Sequence, residues 1–475
     1  MSQERRRTKI VATVGPASRE PGILRDLVEA GVDVFRLNFS HGTAPEHSEN
    51  VERIRAASAN VGILGDLPGP KLRLGDLEED FAVLHSGSEV VLHGEDGGEG
   101  AVGNAERLPV QWKGFAGAVS EGDPVFLADG RVRLKVLSVS GADVVSEVEA
   151  GGAVSSHQGV NLPGADAGLP ESGPGDAAWI DFACEHGIDL LAVSFVRRPE
   201  DLELVHAKLR EREADIPLVA KIEKPQAAAR AEEIIAASDS GIMIARGDLG
   251  IELPLEEVPG TQRRLIALAG RDAKPAIVAT QMLATMVRAS RPTRAEVTDV
   301  ANAIQEGADA VMLSEETAVG EHPIEAVRVM DRIARATERD LPHNDWLYNR
   351  VEGGEHDVSA TVAQVAVTAT HRLELAAIVV PTGSGRTARL VSAYRPKVPV
   401  LAVSASIETV RRMNLLFGVH AVQAEPWESL RRLLDDCARL ARESGYASSG
   451  DLIAVTAGLP SQELGTNLFE VHRVP

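Results

Sequence analysis

Leu218-Val-Ala-Lys-Ile-Glu223 and, after one intervening segment, Ile242-Met-Ile-Ala-Arg-Gly-Asp-Leu-Gly250 decide how this chain folds. Each opens with a short run of Leu, Ile, Val, Met or Ala and then breaks into charge. A run of that length without polar alternation predicts a strand buried on both faces of a parallel sheet. The stretch between them, Pro225–Ala237, carries an amphipathic pattern and predicts a helix. The same alternation recurs outward in both directions. Further runs lie at Ile10–Val14, Val34–Leu37, Ile63–Gly65, Leu190–Ser194, Ala276–Ala279 and Ala310–Leu313. Helical patterns such as Pro199–Arg212 and Thr293–Glu306 separate them. Eight strand-then-helix units predict a closed (β/α)8 barrel of the TIM type.

The ends of these runs carry the functional signal. Thr13, Arg36 with Asn38, Asp66, Ser194 to Arg197, Lys221 with Glu223, Arg246 with Asp248, Thr280 with Gln281, and Ser314 with Glu316 all sit there. In a βα barrel the C-terminal strand ends share one rim, so these groups are expected around a common pocket. Polar strand ends also arise simply because chains leave the core. That accounts for one or two of them, not for cations and carboxylates at most of the rim.

Between the third and fourth runs the character changes. Leu74 to Asp166 is Gly-rich, with short alternating pieces at Ser88–His93, Val125–Ala128 and Val132–Val139. Asp129-Gly130 falls between two of these and predicts a tight hairpin. We expect a small β domain over 71–168, inserted into a barrel made from 1–70 and 169–350, and able to act as a lid. A separate α/β unit is expected over 351–475. It should have a helix at Ser359–Leu373 and strands at Ala376–Val380, Val398–Val403, Val419–Val422 and Leu452–Val455, with a linker across Leu341 to His356.

Bulk properties narrow the function. The 475 residues exceed what one core holds, and 25% charged with 44% hydrophobic is ordinary for a globular enzyme. A net charge of −21 argues against nucleic-acid or membrane-surface binding, although a local cationic site still suits an anionic substrate. The two cysteines, Cys184 and Cys437, belong to no metal-binding or disulfide pattern. The basic start runs straight into an apolar strand and no run is long enough to span a bilayer, so a cytoplasmic protein is expected.

Two clusters carry chemistry. In Lys221-Ile-Glu223 the alternation turns Lys221 and Glu223 to one side. Asp248, on the next rim, offers a second carboxylate. Two carboxylates with open positions suit Mg2+ or Mn2+, and a buried Lys–Glu–Asp salt-bridge network fits the same spacing. The second cluster is Phe35-Arg-Leu-Asn-Phe-Ser-His-Gly42. Arg36 can grip phosphate with its planar fork, Asn38 and Ser40 can hold a cation or substrate, and His41 could reach a nucleotide phosphate.

These runs, with Gly159-Val-Asn-Leu-Pro-Gly164, Ala279-Thr-Gln-Met-Leu283 and Arg291-Pro-Thr-Arg-Ala-Glu296, resemble those of pyruvate kinases, in order and along the whole chain. The resemblance implies transfer of the phosphoryl group of phosphoenolpyruvate to ADP, giving pyruvate and ATP, with Mg2+ or Mn2+ on Glu223 and Asp248. It makes Lys221 and Arg36 the partners of the transferring group, and sets Thr280 near the enolate carbon. The turn Ala245-Arg246-Gly247 would meet the substrate carboxylate. Arg73 would hold the phosphoryl group, and Asn38, His41, Arg73 and Asp129 would face the nucleotide. The enolate's proton donor stays open among Lys221, Thr280 and a water chain at Ser314 and Glu316. A homotetramer is also implied.

One segment departs from the family. The usual Asp-Thr-Lys-Gly-Pro-Glu is here Asp66-Leu-Pro-Gly-Pro-Lys71. The family's K+ site would map to Asn38, Ser40, Asp66 and Leu67. The Lys71 ammonium is expected to supply that positive charge, so that K+ is not required. In the C-terminal unit Thr382-Gly-Ser-Gly-Arg-Thr387 follows a strand and opens a helix, a phosphate-binding geometry. Its position resembles the family's pocket for phosphorylated effectors, and the resemblance implies that Thr382, Ser384, Gly385, Arg386 and Thr387 take an allosteric effector, a sugar phosphate or AMP. The competing readings are another metal-dependent barrel lyase or aldolase handling phosphoenolpyruvate or pyruvate, and a non-enzymatic metabolite sensor.

Overall fold

A computed structural model describes residues 5–94, 102–128, 130–163, 175–349, 358–427, 429–458 and 465–475. Eight parallel strands close a barrel: Lys9–Thr13, Val34–Asn38, Gly62–Asp66, Leu190–Val193, Leu218–Ile222, Ile242–Ala245, Ala276–Ala279 and Ala310–Leu313. Each pairs with its neighbours in chain order, and the last returns to the first with Lys9 opposite Ala310. The strands lack polar alternation because both faces are covered. Val11, Val34, Leu64, Val219, Met243 and Ile277 fill the barrel interior, while Ile10, Phe35, Ile63, Leu218 and Ile242 pack outward under the helices.

Local chemistry sets the helix ends. Thr293 and Glu296 form a reciprocal capping box before Arg294–Gln305, each side chain bonding the other's backbone N–H. The helix expected over Pro225–Ala237 is two, Pro225–Ala229 and Ala231–Ala237, broken at Arg230. Gly241 turns the chain into the sixth strand with φ 82°, and a Cβ there would stand 1.9 Å from the Pro275 carbonyl oxygen. No side chain fits that position.

Within the insert, seven strands form one sheet in the order Leu72–Arg73, Gly159–Asn161, Pro124–Leu127, Val132–Ser140, Asp143–Ala150, Glu89–Gly94 and Arg107–Val110. A bridge between Leu74 and Val110 draws its two edges together around a core of its own. Leu127 pairs with Val132, so four residues join this hairpin rather than the expected two. Asp129 lies outside the described residues.

The C-terminal sheet runs Val419–Gln423, Val400–Ser404, Leu375–Pro381, Leu452–Ala457 and Leu468–Arg473, the last strand antiparallel. That last strand is absent from the sequence reading. Its half-buried residues give no clear period. The expected linker contains a helix, His343–Asn349.

This unit docks on the base of the barrel. Leu415, from the short helix Met413–Leu415, lies in the barrel's interior cluster. Arg395, fully buried, reaches Asp309 at 2.7 Å and the Gly307 carbonyl at 2.6 Å, with its guanidinium 4.3 Å from the Phe417 ring centroid. Lys9 at the foot of the first strand donates to the Val419 carbonyl at 2.6 Å. Among the described residues no helix is long and apolar enough to cross a membrane.

Candidate active site

The barrel's register brings the charged strand ends together at the mouth. Arg36 leaves the second strand beside Asp66 at the end of the third, because Arg36 pairs with Leu64 and Asn38 with Asp66. Arg36 Nε donates to Asp66 Oδ2 at 2.6 Å, and its Nη1 donates to the Thr13 hydroxyl at 3.1 Å. Lys221 Nζ reaches the other Asp66 oxygen at 3.1 Å, Glu223 Oε1 at 2.9 Å and the Ser194 hydroxyl at 2.7 Å. The Ser194 hydroxyl in turn donates to the Leu67 carbonyl at 2.7 Å. Lys221 and Arg36 retain 11% side-chain exposure against 1% for Asp66 and Glu223, so the cations cover the carboxylates on the open side.

Electrostatics follow from that layering. Burial alone would lower the Lys221 pKa, but Asp66 and Glu223 more than reverse it and hold the ammonium above its ordinary value. Burial would raise Asp66; Lys221 and Arg36 outweigh it and keep this carboxyl below the usual range. Glu223 goes the other way. Burial raises it, Lys221 opposes, and the Asp248 carboxylate adds like-charge repulsion. In this ligand-free arrangement Lys221 is therefore a neutralising partner as well as a candidate for phosphate, and both readings of the spacing hold at once.

Asp248 stands on the short helix Arg246–Glu252 that follows the sixth strand, and Lys71 Nζ lies 3.3 Å from its Oδ1. Three of the four expected K+ donors already carry a contact. Asp66 is paired as above, the Leu67 carbonyl accepts from Ser194, and Asn38 Oδ1 accepts from the Ser40 amide at 3.2 Å. Lys71 thus sits at the Asp248 side of the mouth. A cleft of about 340 Å3 opens there, lined by Lys71, Gly247, Asp248, Thr280, Ser314 and Glu316 among others.

Three contacts show how the turn after the sixth strand and Glu316 are held. The Arg246 side chain turns out of the cleft to Asp299 at 2.7 Å and the Thr280 carbonyl at 2.8 Å, so only its backbone faces the site. The Gly247 N–H, expected to await a carboxylate, donates to the Thr280 hydroxyl at 2.7 Å. Glu316 accepts the Leu283 amide on one oxygen and the Ser314 amide on the other, which makes it an organiser of two loops rather than a free proton carrier. Thr280 and Gln281 hold φ values of 71° and 55°. Positive φ at a β-branched residue stores strain on the order of 1–3 kcal/mol, a cost met at functional sites.

Around the rim, His41 has its imidazole pKa lowered by partial burial and then by Arg73, Arg36 and Lys71, so it faces a cationic patch. Arg73 donates to the His157 carbonyl at 3.0 Å. Thr13 and Ser194, expected at the rim, are bonded members of the network. Sequence reasoning missed the pair Lys224–Glu252, whose Nζ to Oε1 distance is 2.6 Å.

Glu223 and Asp248 offer hard oxygen donors whose mutual repulsion a cation would relieve, which fits Mg2+ or Mn2+. Among the described residues no three or more His, Cys, Asp and Glu gather as a metal cage. A metal held here therefore keeps positions for water and substrate oxygens.

Far from the mouth, Gly385 has φ 82° and donates its N–H to the Thr382 hydroxyl at 3.0 Å. Thr382, Ser384, Arg386 and Thr387 line a cavity of about 730 Å3 with Trp427 and Ser429. The Thr387 hydroxyl also meets that of Thr466.

A closed βα barrel with a charged cleft at its mouth, a β insert above and an α/β unit below defines the class, a multidomain barrel enzyme. Family models described as "Pyruvate kinase, barrel domain" and "Pyruvate kinase, alpha/beta domain" match residues 5–327 and 360–472. The chain is 41% identical to the pyruvate kinase of Geobacillus stearothermophilus, over 98% of this chain and 80% of that one. It is 42% identical to that of Corynebacterium efficiens, over 98% of each. A crystal structure of a pyruvate kinase from Cryptosporidium parvum superposes with a TM-score of 0.93 at 32% identity, covering 99% of this chain and 96% of the other. The chain belongs to the pyruvate kinase family and is a phosphotransferase.

Proposed function

We propose that this chain transfers the phosphoryl group of phosphoenolpyruvate to ADP at the barrel mouth, and that the network Arg36–Asp66–Lys221–Glu223 is its centre. The observation that carries the reading is the position of two nearly buried cations over two fully buried carboxylates. Such preset charge stabilises a loose phosphoryl-transfer transition state without reorganising water.

Glu223 and Asp248 would hold Mg2+ or Mn2+, which when bound draws negative charge from phosphoryl oxygens. Lys221 is protonated when substrate binds and can turn from Asp66 and Glu223 toward those oxygens. Arg36, anchored at Nε by Asp66, presents its remaining fork to the same group. The substrate carboxylate takes the Gly247 N–H from the Thr280 hydroxyl, which is then released toward the reacting carbon. The bond from phosphorus to the enol oxygen breaks as one forms to the terminal oxygen of ADP, and the enolate carbon receives a proton. Lys221 and the hydroxyls of Thr280 and Ser314 are the donors within the cleft; Glu316 positions Ser314. His41 and Arg73 complete the nucleotide side.

The Lys71 ammonium beside Asp248 supplies the fixed charge that replaces K+. Rates measured in K+ and in tetramethylammonium salts should agree within about twofold, because a local charge already stands there. A phosphorylated effector binds at Thr382–Thr387, and four chains assemble as a homotetramer. The direct test of the reaction couples pyruvate release to NADH oxidation. Pyruvate formation that requires both phosphoenolpyruvate and ADP supports the reading, and pyruvate released from phosphoenolpyruvate without ADP, with the phosphoryl group passing to water, overturns it.

A further inference from the structure

We infer that Lys224 and Glu252 form a positioning clamp that fixes the two metal carboxylates relative to each other and ties them to the insert; this rests on the reading of Glu223 and Asp248 as metal ligands. Lys224 directly follows Glu223, and Glu252 lies one helical turn beyond Asp248 on Arg246–Glu252. Their ion pair, 2.6 Å long with side chains only 10% and 1% exposed, therefore joins the end of the fifth strand to the far end of the helix that carries Asp248.

The near end of that helix is held separately. Arg246 bonds the Thr280 carbonyl and Asp299. Asp248 sits between these two anchors on a helix of only seven residues, which has little stability of its own. Asn161, in the last strand of the insert, lies close to Glu252, whose Oε2 is buried without a hydrogen-bond partner. Lys224, Asn161 and Lys71 line one small hollow at this junction. The clamp thus links three parts: the strand end with Glu223, the helix with Asp248, and the root of the insert. None of these contacts reaches the cleft, so Lys224 and Glu252 act through the carboxylates rather than on substrate.

The test is direct Mn2+ binding to the full chain, read by electron paramagnetic resonance, for the wild type and for Glu252→Gln, Lys224→Met, Lys224→Arg and Glu223→Gln. Losing a residue that orients a metal ligand costs about tenfold or more in metal affinity. Glu252→Gln and Lys224→Met should each weaken Mn2+ by about that factor, with the KM for phosphoenolpyruvate at saturating Mg2+ changed less than about threefold. Lys224→Arg keeps the cation and should stay within about threefold of wild type. Should Glu252→Gln fail to fold, the contrast between Lys224→Met and Lys224→Arg decides. Wild-type Mn2+ affinity in Lys224→Met, or equal weakening in both Lys224 variants, overturns the clamp. Wild-type affinity in Glu223→Gln overturns the metal assignment itself, a separate result.

Discussion

The two ends of the barrel use buried charge in opposite ways. At the base, Arg395 is fully enclosed, and Asp309, the Gly307 carbonyl and the Phe417 ring share its charge. At the mouth, Glu223 and Asp248 repel each other, moderated by Lys221, by Lys71 and by the Phe195 N–H, which donates to Glu223 Oε2 at 2.8 Å. The base has paired its charges across two domains, with the Arg395 Nε left without a hydrogen-bond partner. The mouth has left an imbalance that a cation and a phosphorylated substrate would resolve. Chemistry is thus lodged where the fold is least at rest.

Substituting Lys221 by Met should have the largest effect. Removing the cation at the transferring group should lower kcat by about 10^3-fold or more, since electrostatic stabilisation dominates such transfers. Circular dichroism should still report a folded chain. A loss of less than tenfold would erase the contrast, because the mouth would then be another structural ion pair.

At the base the response should be in stability. Arg395→Met leaves Asp309 buried without its cation and should cost about 3–5 kcal/mol, while the KM for phosphoenolpyruvate stays near wild type. Denaturant melts with parallel activity assays read both. A variant as stable as wild type but catalytically impaired would reverse the roles assigned to the two ends.

A smaller effect is expected from pH. His343, which contacts the Arg395 carbonyl, and His420, near Lys9, sit at the docking face, and burial above all brings each imidazole down to about 4. Between that value and the ordinary 6.5 the unfolded chain binds protons that the folded one refuses. Stability is therefore intact above pH 6.5 and falls as pH drops toward 4, by at most about 3 kcal/mol for each histidine. Thermal melts from pH 7 to pH 4.5 should show a shallower acid loss in His420→Phe. Parallel curves for variant and wild type would contradict this.

Much of this was legible in the sequence, for a physical reason. A barrel strand buried on both faces must be a short apolar run, and a catalytic rim must put charge where that run stops, so Lys221, Glu223 and Asp248 stood out together. The Lys224–Glu252 clamp did not. Its members are separated in sequence, and each looks like a solvated charge until the helix folds back. Arg246 was read as part of a turn that offers backbone N–H groups, and nothing in the sequence signalled that its side chain would anchor on Asp299 and the Thr280 carbonyl. The strand Leu468–Arg473 escaped because half-burial on both faces leaves no period to read.

Crystals grown with Mn2+ and phosphoenolpyruvate, examined by anomalous difference density at the manganese edge, test the central claim most directly. The account predicts one strong peak bridging Glu223 and Asp248, with the phosphoryl group against Lys221 and Arg36. A peak held by other residues, with Glu223 and Asp248 still facing only their present partners, would contradict it.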